Sequence, residues 1–171
     1  NKQNIEELIL NNKVDIAFIE GTVSSKEIIL KNIWTDELVF ISSINHEWNG
    51  KKYLDLEDLK NNKFIIREDG SGTRERFEDF LENKDIKFDS YIELSNLEAI
   101  LNYVKLNIGV SCVPYMSVLS EERLKSINVY RIKDYNINRP LYSAIHKDKY
   151  ISKPIKCFME FCEETTILNN K

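Results

Sequence analysis

Cysteine, histidine and long apolar runs are all scarce in this chain, and each scarcity closes off a class of function. The three cysteines, Cys112, Cys157 and Cys162, are odd in number and include no Cys-x-x-Cys pair. Their spacing therefore supports neither a disulfide framework nor a zinc site. Cys157 and Cys162 lie five residues apart on a predicted helix, a spacing suited to packing, and unpaired thiols fit a reducing cytoplasm. The two histidines are His46, in the polar turn Ile44–Trp48, and His146, late in a predicted strand. Neither stands in a recognised nucleophile motif, so both read as surface histidines, and no catalytic residue, metal or cofactor is assigned. The longest apolar runs, such as Ile16–Ile19 and Leu38–Ile41, fall far short of the about 20 residues that cross a membrane. No secretory signal pattern is expected either. Basic residues are outnumbered, 24 against 28 acidic, for a net charge of −4. A DNA-binding surface normally needs a basic stripe, so these residues are not expected to hold nucleic acid themselves.

What is present is a globular balance. Of 171 residues, 42% are hydrophobic and 30% charged, enough apolar material for one domain or two small lobes. Apolar periodicity predicts helices over Gln3–Lys13, briefly over Asp55–Asn61, from Thr73 through Leu81, from Leu97 to Asn107, near Tyr115–Leu124 and over Ser152–Leu168. The last places Ile155, Phe158, Met159 and Cys162 inward. Strands are predicted over Val14–Ile19, Glu27–Ile33, Glu37–Ser42, Lys63–Arg67, Tyr91–Leu94, Ile108–Val113, Asn128–Ile132 and Leu141–Lys147. The alternation of strand and helix argues for parallel sheets with helices on both faces. A strand and helix returning after residue 136 suit a chain that crosses to a second lobe and comes back.

Two loops carry the candidate chemistry. In Gly70-Ser71-Gly72-Thr73 the glycines allow close approach of a ligand. The amides of Ser71, Gly72 and Thr73 would open a helix, where the peptide dipoles favour an anion. The plainer alternative is a helix cap, with Ser71 or Thr73 as the capping side chain. The loop lacks both the Gly-Lys-Ser/Thr ending of a nucleotide-binding loop and a GxGxxG fingerprint. Ser95-Asn96-Leu97-Glu98 reads as a capping box, with the Ser95 hydroxyl as acceptor and Glu98 reaching back. Ligands of open α/β sheets sit at the carboxyl ends of strands. Gly21, Ser71, Ser95 and Pro114 all follow strands, with Asn96 adjoining Ser95, and would share one cleft. Arg67 and Arg74 raise the local potential there, opposed by Glu68, Asp69 and Glu75. The acidic pairs Asp36–Glu37, Glu57–Asp58, Glu121–Glu122 and Glu163–Glu164 read as solvated faces.

The ordered segments resemble one family. VDIAFIEG at Val14–Gly21 and DELVFISS at Asp36–Ser43 are similar to successive strands in the effector-binding domain of LysR-type transcriptional regulators. LDLEDLKNNKFIIREDGSGTR at Leu54–Arg74 resembles the branch linked to cysteine and sulfur metabolism. LSNLEAILNYVKLNIGVSCVP at Leu94–Pro114, RPLYSAIHKDKYIS at Arg139–Ser152 and the closing helix complete the order. Asn107 replaces the family's usual glycine, and asparagine tolerates the same left-handed turn.

The resemblance implies an α/β, two-lobe type 2 periplasmic-binding-protein-like fold, with residues 1–43 and 136–171 in one lobe and 44–135 in the other. It implies a small anionic effector, with Gly21, Ser71, Gly72, Thr73, Ser95, Asn96 and Pro114 as its candidate contacts. It also implies a cytoplasmic homo-oligomer, dimer or tetramer, that reaches DNA only through an N-terminal winged helix-turn-helix upstream of Asn1. A strand, helix and strand would precede Asn1 as well, so the first lobe is expected to be incomplete, with unpaired edges beside Val14–Ile19. Three rivals remain at this point. One is a free solute-binding protein of a transporter. Another is an enzyme of the same fold such as a prephenate dehydratase, whose Thr-Arg-Phe motif is broken here by Glu75 after Thr73-Arg74. The third is a bare interaction domain.

Overall fold

The computed structural model describes residues 2–21, 23–87 and 91–169, without side-chain detail for 2, 3 and 163–169. In chain order, α1 spans Lys2–Leu10, β1 Ala17–Glu20, β2 Ile28–Ser42, β3 Phe64–Arg67, α2 Gly72–Glu82, β4 Tyr91–Leu94 and α3 Leu97–Lys105. They are followed by β5 at Ser111–Pro114, α4 at Leu119–Arg123, β6 at Asn128–Tyr130, β7 at Ile137–His146 and α5 at Lys153–Asn169. Single 3-10 turns occupy Leu56–Leu59 and Tyr115–Val118. The chain divides into two compact units, Asn1–Thr35 with Arg139–Lys171, and Asp36–Asn138.

Two sequence expectations change. The strands expected at Glu27–Ile33 and Glu37–Ser42 are one fifteen-residue strand, β2. Trp34-Thr35-Asp36 lies between them, but it contains no glycine or proline to stop an extended chain. The sheets are also not parallel throughout. β1–β7, β2–β5 and β2–β6 pair antiparallel, while β3–β4 is parallel and a parallel bridge links Phe64 to Val110. The physical reason lies in the connections. Strands joined through helices, β3-α2-β4, β4-α3-β5 and β5-α4-β6, run the same way, as crossover links require. β2 enters without a crossover helix and runs against its neighbours.

The core of the second unit follows from the period of two along β2. Leu38 and Phe40 face one cluster with Trp48, Phe64, Phe77, Leu81, Val110 and Tyr130. Val39 and Ile41 face the other, with Ile65, Ile100, Leu101, Val104 and Val113. α2 covers the first face through Phe77, whose ring lies edge-on to Phe40 at 6.0 Å and 5.1 Å from Phe64. α3 covers the second. Between the parallel strands, the buried Ser111 hydroxyl donates to the Ile65 carbonyl at 2.6 Å.

The first unit has a smaller core of Ile9, Ile19, Ile28 and Ala144, with Ile5, Val14, Ala17, Leu30 and Tyr142 packed on it. Among the described residues β1 pairs with β7 alone and ends its sheet. Phe18 is 44% exposed and meets Phe158 edge-on at 5.9 Å. Phe158 is therefore half-exposed, in contrast to the inward position expected for it. The Glu6 carboxylate on α1 accepts from the amides of Ser24 and Ser25, at 3.4 and 2.7 Å.

Four helical segments end in one way without glycine. The residue past the helix takes a left-handed conformation at Asn12, Asp85, Asn107 and Lys125, with φ of 57°, 55°, 57° and 53°. At each, its amide and the next one reach back to carbonyls three and five residues earlier, as Asn107 to Val104 and Ile108 to Tyr103 do at 2.9 and 3.1 Å. This is the Schellman pattern. At Asp85 the accompanying apolar contact joins two core residues, Ile86 and Leu81.

Candidate functional site: the strand-end edge of the second unit

Parallel pairing fixes where the candidate loops emerge. β4 pairs with β3, and β3 bridges to the segment entering β5. The carboxyl ends of these strands, Arg67, Leu94 and Pro114, therefore lie on one edge. Ser71, Gly72 and Thr73, then Ser95 and Asn96, then Pro114 all leave the second unit along that edge. Gly21 belongs to the first unit. It follows β1 with φ of 68°, and its amide donates to the Pro140 carbonyl at 3.5 Å. Beside it Glu20 pairs with Arg139 at 2.6 Å.

The Gly70 turn is left-handed, with φ of 74°. Ser71 is the N-cap of α2 in extended conformation, yet its side chain makes no capping hydrogen bond. The helix begins with its backbone alone, the Glu75 amide donating to the Ser71 carbonyl at 2.9 Å. Thr73 is 3% exposed. At the neighbouring turn the cap expected of Ser95 belongs to Asn96. Its Oδ1 accepts from the amides of Glu98 and Ala99 at 2.7 and 3.3 Å. An amide oxygen one residue nearer the helix has the shorter reach, and Ser95 stays exposed.

The cations on this edge are matched by carboxylates. Arg67 binds Glu68 through Nε and Nη2, at 2.7 and 2.8 Å, which holds the Glu68 carboxyl below its usual range. Arg74, only 14% exposed at its side chain, binds Glu78 and Glu93 at 2.7 Å each, and these pairings hold it above the ordinary arginine value. Its partners are thus Glu78 and Glu93.

A third cluster escaped sequence reading. Arg131, just past β6, donates to both carboxylate oxygens of Glu37 at 2.7–3.0 Å and lies 4.7 Å over the Tyr115 ring. The Tyr115 hydroxyl donates to Glu122 at 3.0 Å; burial, with that neighbouring carboxylate, pushes its pKa up. The pair Asp36–Glu37, expected on a solvated face, is instead buried at Asp36 and ion-paired at Glu37. No local motif signals a contact spanning 94 residues.

One group among the described residues has ligand types for a metal: Glu27, His146 and Asp148, with ligand atoms within 4.8 Å of one another. Lys147 already occupies Glu27 at 2.8 Å, and His146 Nδ1 accepts the Asp148 amide at 3.2 Å. The arrangement reads as an ion-paired turn. No helix among the described residues is long and apolar enough to cross a membrane.

The model of the LysR substrate binding domain family matches residues 1–166. The chain belongs to that family. It is 30% identical over 167 residues to the uncharacterized HTH-type transcriptional regulator YeiE of Escherichia coli K12, covering 98% of this chain and 57% of that one. It is 29% identical over 161 residues to the HTH-type transcriptional activator CmpR of Synechocystis, covering 94% and 53%. The chain thus spans about half the length of these curated relatives. In fold it is similar to the regulatory domain of Synechocystis CcmR in complex with 2-PG, with a TM-score of 0.86 at 23% identity, over 97% of this chain and 80% of that one. The LysR substrate binding domain has the two-lobe periplasmic-binding-protein-like architecture, and this mixed α/β chain shares it.

Proposed function

We propose that this chain is the effector-sensing domain of a LysR-type transcriptional regulator, and that the strand-end edge of its second unit takes one end of a small anion. The observation that carries the reading is the convergence of three strand-to-loop turns on one edge of a parallel β4-β3-β5 arrangement. Ser71, Gly72 and Thr73 open an eleven-residue helix, where oriented amides and the dipole favour negative charge. Ser95 adds a hydroxyl beside the Asn96 cap, and Pro114 lines the adjoining strand end. Because Arg67 and Arg74 are matched by carboxylates, affinity comes mainly from oriented neutral donors. In the first unit, the loop opened by Gly21 holds the corresponding strand-end position, and Gly21 is its candidate effector contact.

On this reading the whole regulator carries an N-terminal winged helix-turn-helix, works in the cytoplasm as a dimer or tetramer on DNA, and performs no catalysis. A strand–helix–strand segment ahead of α1 completes the first lobe by pairing along the open side of β1. The edge position of β1, the exposure of Phe18 and the 80% coverage of the CcmR domain support this segment. The resemblance of Leu54–Arg74 to the sulfur and cysteine branch puts sulfur oxyanions beside 2-phosphoglycolate as effector candidates.

The test is calorimetric titration of 2-phosphoglycolate, sulfate, sulfite and thiosulfate into wild type and Thr73→Val, with thermal melts of both. Losing the hydroxyl should weaken binding of the preferred anion by about tenfold or more, the scale of one hydrogen bond to a charged group. The melts read separately what the buried Thr73 hydroxyl contributes to the fold. Unchanged affinity beside a lower melting temperature would make the loop a helix start only.

A further inference from the structure

We infer that Arg131 is a second anion anchor on this edge, and that the effector is therefore a compact molecule with two anionic groups. The inference rests on the reading of that edge as the effector site and adds to it a charged residue and a ligand class. β5 and β6 both run antiparallel to β2, so they point the same way. Arg131, next after β6, leaves the sheet at the edge where Pro114 ends β5. Its side chain leans across β2 toward β5, binding Glu37 and lying over Tyr115, the residue after Pro114. From Glu37 on β2 and the end of β5 to the end of β3 is one to two strand spacings, about 5–10 Å. That is the span of a short two-headed anion.

The other two arginines on the edge serve the fold. Arg67 is chelated by its chain neighbour, and Arg74 is enclosed by two carboxylates. Arg131 differs in exposure: its side chain is 40% accessible and that of Glu37 24%. The Arg131 side chain is thus more open to solvent than that of its counter-charge. Glu37 on one flank and the Tyr115 ring on its face hold the planar fork in a fixed orientation, which suits a second carboxylate or a phosphate. Glu37 also sets selectivity. A ligand anion competes with a resident carboxylate, so a single charge gains little here, while a dianion already anchored at the other end gains the most.

The experiment is calorimetric titration of the 171-residue chain with three ligands that carry two anionic groups, malonate, succinate and 2-phosphoglycolate, called dianions below for their two heads, and two monoanions, acetate and glycolate. Wild type should bind at least one dianion about tenfold or more tightly than either monoanion. Arg131→Gln should erase that gap while leaving monoanion binding unchanged. Glu37→Gln, which removes the competitor, should strengthen dianion binding several-fold. It decides the matter if melts show Arg131→Gln unfolded. No dianion preference in wild type, a gap that persists in folded Arg131→Gln, or weaker dianion binding in Glu37→Gln would overturn the inference. Thr73→Val separates the two readings. If it weakens both ligand classes while Arg131→Gln preserves the gap, the loop site stands and the Arg131 anchor fails. If Thr73→Val changes nothing while Arg131→Gln erases the gap, the anchor stands and the loop reading fails.

Discussion

β2 meets two different environments along its length. In the second unit Leu38, Val39, Phe40 and Ile41 are all buried, alternate side chains entering the two clusters. In the first unit Ile28 is buried, but Ile29 beside it is half-exposed. The same contrast holds elsewhere. The second unit has helices on both faces of its strands, whereas β1 ends its sheet and turns Phe18 outward. Hydrophobic stabilisation scales with apolar area removed from water. The two units thus draw on that source unequally, and the first keeps surfaces that another segment or chain could cover.

The largest effect that would break this comparison comes from truncating each core. Phe40→Ala should cost about 3–5 kcal/mol, and Ile19→Ala about 2 kcal/mol, the low end for its class, because its surroundings are thinner and relax more easily. Urea unfolding measures both, and a larger loss at Ile19 would reverse the ranking of the two units. A smaller effect sharpens the account of the second unit's strand packing. At Gly109 an added Cβ would stand 2.4 Å from the Lys63 carbonyl oxygen, a backbone atom that cannot swing away. Gly109→Ala should therefore cost about 1–3 kcal/mol, read as a lower thermal midpoint. No loss would mean that the Lys63–Val110 ladder is loose.

The smallest effect is one of pH. His46 lies edge-on to Trp48 at 4.8 Å and accepts its amide, and burial lowers its pKa below 6.5. The folded chain therefore binds fewer protons at this site than the unfolded chain. The neutral histidine's contribution is complete above 6.5. It is lost as pH falls from 6.5 toward the lowered folded-state value, and levels off below it. Unfolding midpoints measured between pH 7.5 and 5 should fall modestly in wild type and fall less in His46→Gln. Equal slopes would remove His46 from the account.

Much of this was legible in the sequence because it is local. The Gly70–Thr73 turn, the start of α3 and the left-handed Asn107 depend on residues within one turn of each other. Strand positions in the second unit were readable because Phe64–Arg67 and Ser111–Pro114 sit between clear helix signals. Pairing direction was harder to read. The alternation of elements suggests parallel sheets, but β2 enters with no crossover helix, and only the tertiary fold shows it running against β5 and β6. Serine and asparagine cap equally well in principle, and backbone geometry puts the cap at Asn96, one residue past Ser95. Arg131–Glu37 was invisible, since a charge pair joined across two strands leaves no periodic trace.

The four Schellman ends at Asn12, Asp85, Asn107 and Lys125 have a consequence for the unfolded chain. A glycine at each would relax the left-handed backbone, yet it would also multiply the shapes open to the chain before folding. These two contributions oppose one another, so exchange with glycine should leave the folding equilibrium nearly level at the asparagine and aspartate positions, while Lys125→Gly should gain stability. Such positions are where a lineage can drift at little cost. The helices can keep their stopping points while the identities of the residues that stop them wander.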